Sequence, residues 1–279
     1  MNDVRSKALI TVGELAALLD AQQPVVVLDV IDEPGAAPDD RPKIAGALSV
    51  DLATDFSGKP ALAAGRRPLP PIVELQAKAR AWGIRTDSAV VVYDNSGGAL
   101  ASRAWWTLRW AGLADVRILD GGFGAWSAAD HASSSHLGTQ AAHAGDVTLT
   151  PGHMPTIDAE EAAALAKQSR LLDARPRASY IGDPGKPGTG HIPGAIHAPS
   201  GANLAAGKFK PASELRASFA SFGATGSAKF GVYCGSGNAA AHAIAAMSAI
   251  GLAPALYVGS WSAWSSDPSR PVATGAEPG

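Results

Sequence analysis

The sequence predicts an α/β protein made of two tandem copies of one unit, each a parallel sheet flanked by helices. Short β-branched or leucine runs alternate with helical patterns, and the same elements return in the same order in both halves. A length of 279 residues is enough for about two domains. A hydrophobic fraction of 46% can fill two cores and excludes a disordered chain.

Each half opens with a helix start. Thr11 with Glu14 three residues on is a capping-box pattern, and Leu15, Leu18 and Leu19 give the apolar face behind it. Asp158 and Glu161 repeat the pattern before Ala162, Leu165 and Ala166. An apolar run ending in Asp follows each helix, Val25 to Asp29 and Leu171 to Asp173. Such runs suit parallel strands covered on both faces. Ile44-Ala45-Gly46-Ala47 then answers to His191-Ile192-Pro193-Gly194-Ala195. The run Ala89 to Asp94 answers to Phe230 to Cys234, each before a Gly-containing turn and a helix. Last, Leu119 to Trp126 answers to Tyr257 to Trp264. Ordered matches of this kind mark a tandem duplication.

The stretch His131 to Pro155 is rich in Ser, Gly, His and Pro, with one brief apolar alternation at Val147 to Leu149. The expected division is therefore a first domain at 1–135, a linker at 136–155 and a second domain at 156–279. Asp267 to Gly279, with its prolines and glycines, is expected to be a poorly ordered tail.

Charge narrows the function. The formal net charge is −2, with no basic stripe to neutralise phosphates and no polybasic stretch for an anionic membrane, so neither nucleic acid nor membrane is an expected partner. The long weakly polar run Ala239 to Val258 is broken by His242, Ser248, Gly251 and Pro254 and does not read as a membrane span. Asp3, Arg5, Lys7 and Glu14 leave no signal-peptide core, which sets a cytoplasmic expectation. The seven histidines form no metal-binding helical pair, so no metal and no cofactor are expected. Trp105, Trp106 and Trp110 follow helical spacing with Leu108 and Leu113 and read as core, not as a base-stacking platform. His191 reads as ordering a turn, and His242 as packing on its helix.

Cys234 is the single cysteine, which rules out an intrachain disulfide and a cysteine-cluster zinc site. It ends a strand pattern and precedes Gly235-Ser236-Gly237-Asn238-Ala239-Ala240, after which Ala239 to Ile250 reads as a helix. A lone cysteine is more often a small core hydrophobe. Here the helix dipole and the loop N–H groups favour a thiolate, the form a sulfur nucleophile needs. No Lys-Ser/Thr pair follows Gly237, which excludes a P-loop. Ala240 stands where a cysteine phosphatase needs an arginine to clamp phosphoryl oxygens.

The duplication, the His-Ile-Pro-Gly-Ala element, the Cys-Gly-Ser-Gly loop and the Gly-Ser-Trp-Ser-Ala-Trp ending resemble the two-domain rhodanese family of thiosulfate and mercaptopyruvate sulfurtransferases, from Thr11 to about Pro271. The resemblance implies two rhodanese-like domains, the second catalytic and the first with Asp94 in the lost cysteine position. It implies that Cys234 takes sulfur from a small-molecule donor as a persulfide and passes it to a thiol or to cyanide. Ser236 would assist at the leaving group, and Gly235, Gly237, Asn238, Ala239 and Ala240 would cradle the sulfur. Arg175 and Arg177 would meet the donor's charge. A Cys-Gly-Ser-Gly start resembles the mercaptopyruvate enzymes, since thiosulfate enzymes more often carry an Arg-Lys pair where Gly235 and Ser236 stand. The chain departs from the family at Asn238-Ala239-Ala240, usually Val-Thr-Ala, at Ser179, usually Arg, at Ala53, usually Asp, and at Arg67, usually His. Arg66, Arg67 and Lys186 are expected to keep the cleft positive. A weakly catalytic sulfur carrier or partner-binding module of the same fold is the alternative reading.

Overall fold

The computed structural model describes residues 4–32, 41–135, 141–186, 188–226 and 228–279. The chain divides into two compact units, Met1–Gly58 with Leu69–His153, and Lys59–Pro68 with Met154–Gly279.

In the first unit, five parallel strands lie in the order Leu9–Ile10, Val116–Leu119, Ala89–Tyr93, Val25–Ile31 and Leu48–Asp51. The central strands are nearly pure valine, leucine and isoleucine because helices cover both faces. The helix Val12–Asp20 starts on the expected capping box, with Thr11 Oγ1 accepting from Glu14 N and the Glu14 carboxylate accepting from Thr11 N. Trp105 and Trp106 are buried in the helix Ala99–Trp110, as their spacing predicts.

The second unit repeats this topology. Its parallel strands run in the order Thr156–Ile157, Ala255–Tyr257, Gly231–Tyr233, Leu171–Asp173 and Ile196–His197. Asp158 and Glu161 form the second capping box, on the helix Ala159–Ala166. The repeat extends to single hydrogen bonds: Ile44 N donates to Tyr93 Oη at 3.2 Å, and Ile192 N donates to Tyr233 Oη at 3.1 Å.

Two expectations meet a different structure. The tail from Asp267 is built into the second unit. Ala273 pairs with His191 across an antiparallel bridge, Gly275 N donates to Ile181 O, and Pro278 O accepts from Gly194 N. Gly190, at φ +116°, makes this possible, because a Cβ there would lie 2.2 Å from Ala273 O. Residues 136–140 of the expected linker lie outside the described residues. Its later part packs on the first unit, with Val147 and Leu149 buried and their N–H groups donating to Ile84 O and Gln76 Oε1. The placement of Lys59–Pro68 in the second unit has no counterpart in the sequence reading. Among the described residues, no helix is long and apolar enough to cross a membrane.

Candidate active site

In the second sheet the chain leaves Leu171–Asp173 toward one edge and Gly231–Tyr233 toward the other. Carboxyl ends of strands at such a reversal open a crevice where α/β proteins bind ligands. Tyr233 is paired with Asp173, so Cys234 and the segment Ala174-Arg175 emerge side by side.

Cys234 is 3% exposed, and Gly237 N donates to its Sγ at 3.0 Å. Gly237 has φ +100° and opens the helix Asn238–Ser248, whose N-terminal dipole adds to that donor. A donor and a dipole aimed at one sulfur stabilise negative charge on it. The short helix Ser260–Trp264 holds the loop from the other side. Cys234 N donates to Ser260 Oγ at 3.3 Å, Trp261 N to Cys234 O at 2.8 Å, and Ser262 N to Gly235 O at 3.0 Å. Ser260 Oγ donates in turn to Tyr257 O at 2.9 Å.

The predicted loop residues come together here. Gly237 and Ala240 are buried, and Gly235, Ser236, Asn238 and Ala239 are half-buried. The two predicted arginines separate. Arg175 is buried, with its Nε donating to both Asp173 oxygens at 2.9 and 3.0 Å and its Nη2 to Gly190 O at 2.7 Å. It also stacks over Trp261 at 4.5 Å. Burial alone would lower its pKa, but the Asp173 carboxylate holds the guanidinium above its ordinary value. Burial, then the same carboxylate, pushes the Tyr233 phenol well above its ordinary range. Arg177 is exposed at the start of the helix Arg177–Ile181 and does not line the cavity described next.

Beside the loop lies a cavity of about 500 Å³, lined by Arg66, Arg175, Asp183, Lys186, Gly235 and Trp261 among others. Among the described residues, no group of three or more His, Cys, Asp or Glu side chains is placed to hold a metal ion. His191 is buried, with its Nδ1 2.8 Å from Tyr180 O and its Nε2 3.1 Å from Pro278 O, and it stacks on Tyr180. The ring thus ties the start of the Ile192-Pro193-Gly194 segment to Tyr180 and to the C-terminal segment at Pro278. His242 is buried against Phe209, with ring centres 4.6 Å apart.

The first unit shows what this loop does with an anion. Asp94 is 2% exposed, and its carboxylate accepts from the N–H groups of Ser96, Gly98, Leu100 and Ala101 at 2.7 to 2.8 Å. The strand–loop–helix design thus presents converging amides to a negative group.

Sequence reasoning missed Ser260. Its signal lay in the repeat: Gly122, at φ +58°, occupies the matching place in the first half, and Ser260 adopts φ +52° there. A side chain at Gly122 would fall 2.3 Å from Asp94 O, whereas Ser260 uses its hydroxyl to brace Cys234.

The rhodanese-like domain model matches residues 11–129 and 158–267. A protein of Mycobacterium tuberculosis with the provisional name thiosulfate sulfurtransferase SseB is 44% identical over 97% of this chain and 98% of its own length. A Pseudomonas aeruginosa protein provisionally named 3-mercaptopyruvate sulfurtransferase is 41% identical over 97% of this chain and 99% of its own. The structure of 3-mercaptopyruvate sulfurtransferase from Leishmania major superposes with a TM-score of 0.76 at 25% identity, over 92% of this chain and 74% of that one.

Proposed function

This chain belongs to the rhodanese family and is a sulfurtransferase of the thiosulfate or 3-mercaptopyruvate type, and we propose that it works through a persulfide on Cys234. The observation that carries this reading is the Gly237 N–H on Cys234 Sγ at a helix N-terminus. It gives the sulfur a ready counter-dipole in both its thiolate and persulfide forms.

In the first half-reaction, the Cys234 thiolate attacks the outer sulfur of the donor. A new S–S bond forms as the donor's S–S or C–S bond breaks, and the electron pair leaves with sulfite or with the enolate of pyruvate. The enolate then takes a proton, for which the half-buried Ser236 of the loop supplies a hydroxyl relay. In the second half-reaction, a thiolate or cyanide attacks the outer persulfide sulfur and Cys234 departs as thiolate. A cysteine that cycles between thiolate and persulfide suits a reducing compartment such as the cytoplasm.

Intact-protein mass spectrometry after incubation with thiosulfate or with 3-mercaptopyruvate tests the reading. The wild type should gain the mass of one sulfur atom, and Cys234→Ser should gain none. No gain on the wild type with either donor would reject the persulfide.

A further inference from the structure

The ring of His191 is fully buried and sits between two peptide carbonyls. Its Nδ1 is 2.8 Å from Tyr180 O, and its Nε2 is 3.1 Å from Pro278 O. A carbonyl oxygen only accepts, so both contacts are hydrogen bonds only when both nitrogens carry a proton. A neutral ring has one N–H and leaves a nitrogen lone pair facing a carbonyl oxygen.

Pro278 belongs to the C-terminal segment, and that segment is tied to the wall of the cavity beside the Cys234 loop. Ala273 exchanges both backbone hydrogen bonds with His191, at 2.8 and 3.0 Å. Gly275 N donates to Ile181 O at 2.8 Å, and Gly194 N donates to Pro278 O at 2.7 Å. Ile181 leads directly into Gly182, Asp183 and Lys186, which line the cavity. Gly182, at φ +67°, passes so close to Gly190 that a Cβ would lie 2.3 Å from its amide nitrogen. The segment and the wall therefore meet at His191.

The groups around the ring separate by when they titrate. Tyr180 stacks on it with ring centres 3.8 Å apart, and burial, then the Asp173 and Glu277 carboxylates, pushes that phenol up to about 12. Arg175 Nη2 donates to Gly190 O on one side of His191 in the chain, and Tyr233 Oη accepts from Ile192 N on the other. Lys167 shares a cavity with Pro193 and Pro278. His197 also meets Tyr180, with ring centres 4.8 Å apart, but its Nε2 faces one carbonyl, Arg175 O at 3.0 Å, which a neutral ring satisfies. Of these side chains, imidazoles are the ones that ordinarily titrate between about pH 5 and pH 8. His191 is the imidazole set between two carbonyls.

We propose that His191 is a pH-sensitive pin for the C-terminal segment. As imidazolium it donates to Tyr180 O and Pro278 O together and clamps the segment against the cavity wall. Loss of one proton to solvent keeps the shorter bond to Tyr180 O, turns the contact with Pro278 O repulsive and frees that end of the segment. The clamp therefore holds in acid and loosens as pH rises through the imidazole range. The pin needs no chemistry at Cys234, so it stands or falls separately from the persulfide.

Heteronuclear NMR of histidine-labelled protein follows each ring, and amide hydrogen exchange at Gly194 and Gly275, corrected for its intrinsic pH dependence, follows the segment. Both His191 nitrogens should carry a proton at about pH 5 and one of them at about pH 8. Protection of the two amides should fall roughly tenfold over the same interval, the effect of losing one charge-assisted hydrogen bond. His197→Gln removes the second imidazole near Tyr180 and should leave both changes in place. His191→Gln should abolish the pH dependence of protection, and the wild-type titration decides alone if that variant does not fold. A wild-type His191 that keeps a single proton across the interval, or amides whose protection does not follow the ring, would overturn the proposal.

Discussion

The Gly237 amide meets Cys234 Sγ at 3.0 Å, so the residue that starts the helix is also a donor to the sulfur. Its φ of +100° aims the N–H back along the loop, a conformation that a side chain opposes. Gly237→Ala should lower stability by about 1 to 3 kcal/mol and slow sulfur loading of Cys234. Urea unfolding and timed mass spectrometry check the two effects. Loading at the wild-type rate would show that the amide has no part in activating the sulfur.

Ser260 separates strain from support. Ser260→Ala keeps the left-handed backbone but leaves the Cys234 N–H without its acceptor, at a cost of about 1 to 3 kcal/mol. Ser260→Gly loses the same acceptor while relieving the backbone, so it should be the more stable of the two. Both should load sulfur more slowly than the wild type in single-turnover experiments. Wild-type loading in Ser260→Gly would assign the hydroxyl to folding alone.

Asp94 predicts an effect confined to stability. Asp94→Ala strips the acceptor from four amides and should destabilise the chain by about 3 kcal/mol or more. Asp94→Asn keeps one oxygen and should lie between. Thermal unfolding measures the loss. Below the melting temperature, sulfur loading of Cys234 should be unchanged.

Removing the charge of Asp173 while leaving Arg175 buried should cost about 3 to 5 kcal/mol, because an unpaired guanidinium then stays inside. Asp173→Asn should also change the Trp261 emission, since Arg175 stacks on that ring. Stability within 1 kcal/mol of the wild type, by roughly the error of a urea extrapolation, would contradict this account.

The capping box gives a pH signature. The Thr11 backbone and side-chain hydrogen bonds hold the Glu14 carboxyl below its usual 4.5. A carboxyl depressed on folding adds stability that is present above its unfolded pKa and is lost as pH falls through the folded one. The melting temperature of the wild type should therefore fall more steeply than that of Glu14→Gln between about pH 5 and pH 3. Parallel curves would show that the box adds nothing measurable.

Much of this was legible in the residues. The capping boxes at Thr11 and Asp158, the strand runs starting at Val25 and Leu171, and the loop after Cys234 are local patterns that survive folding, although the first strand runs past Asp29 to Ile31. What the sequence hid depends on distant partners. Arg175 and Arg177 look alike in the chain, yet only Arg175 has Asp173 opposite it, while Arg177 faces solvent. The Asp267–Gly279 segment reads as a tail because its order comes from His191, Gly190 and Gly194 far upstream. The tie between Arg66 and Ser262 spans a sequence separation of 196 and has no local signature.

Asp94 follows in the first unit the strand end that Cys234 follows in the second, and a carboxylate cannot form a persulfide. In the first half the loop amides are taken by a group on the chain's own backbone, whose tether keeps it at an effective concentration that a dissolved anion cannot match. On the proposed persulfide mechanism, titration with excess donor should saturate at one equivalent per chain, on Cys234, with the other berth closed by a built-in stopper.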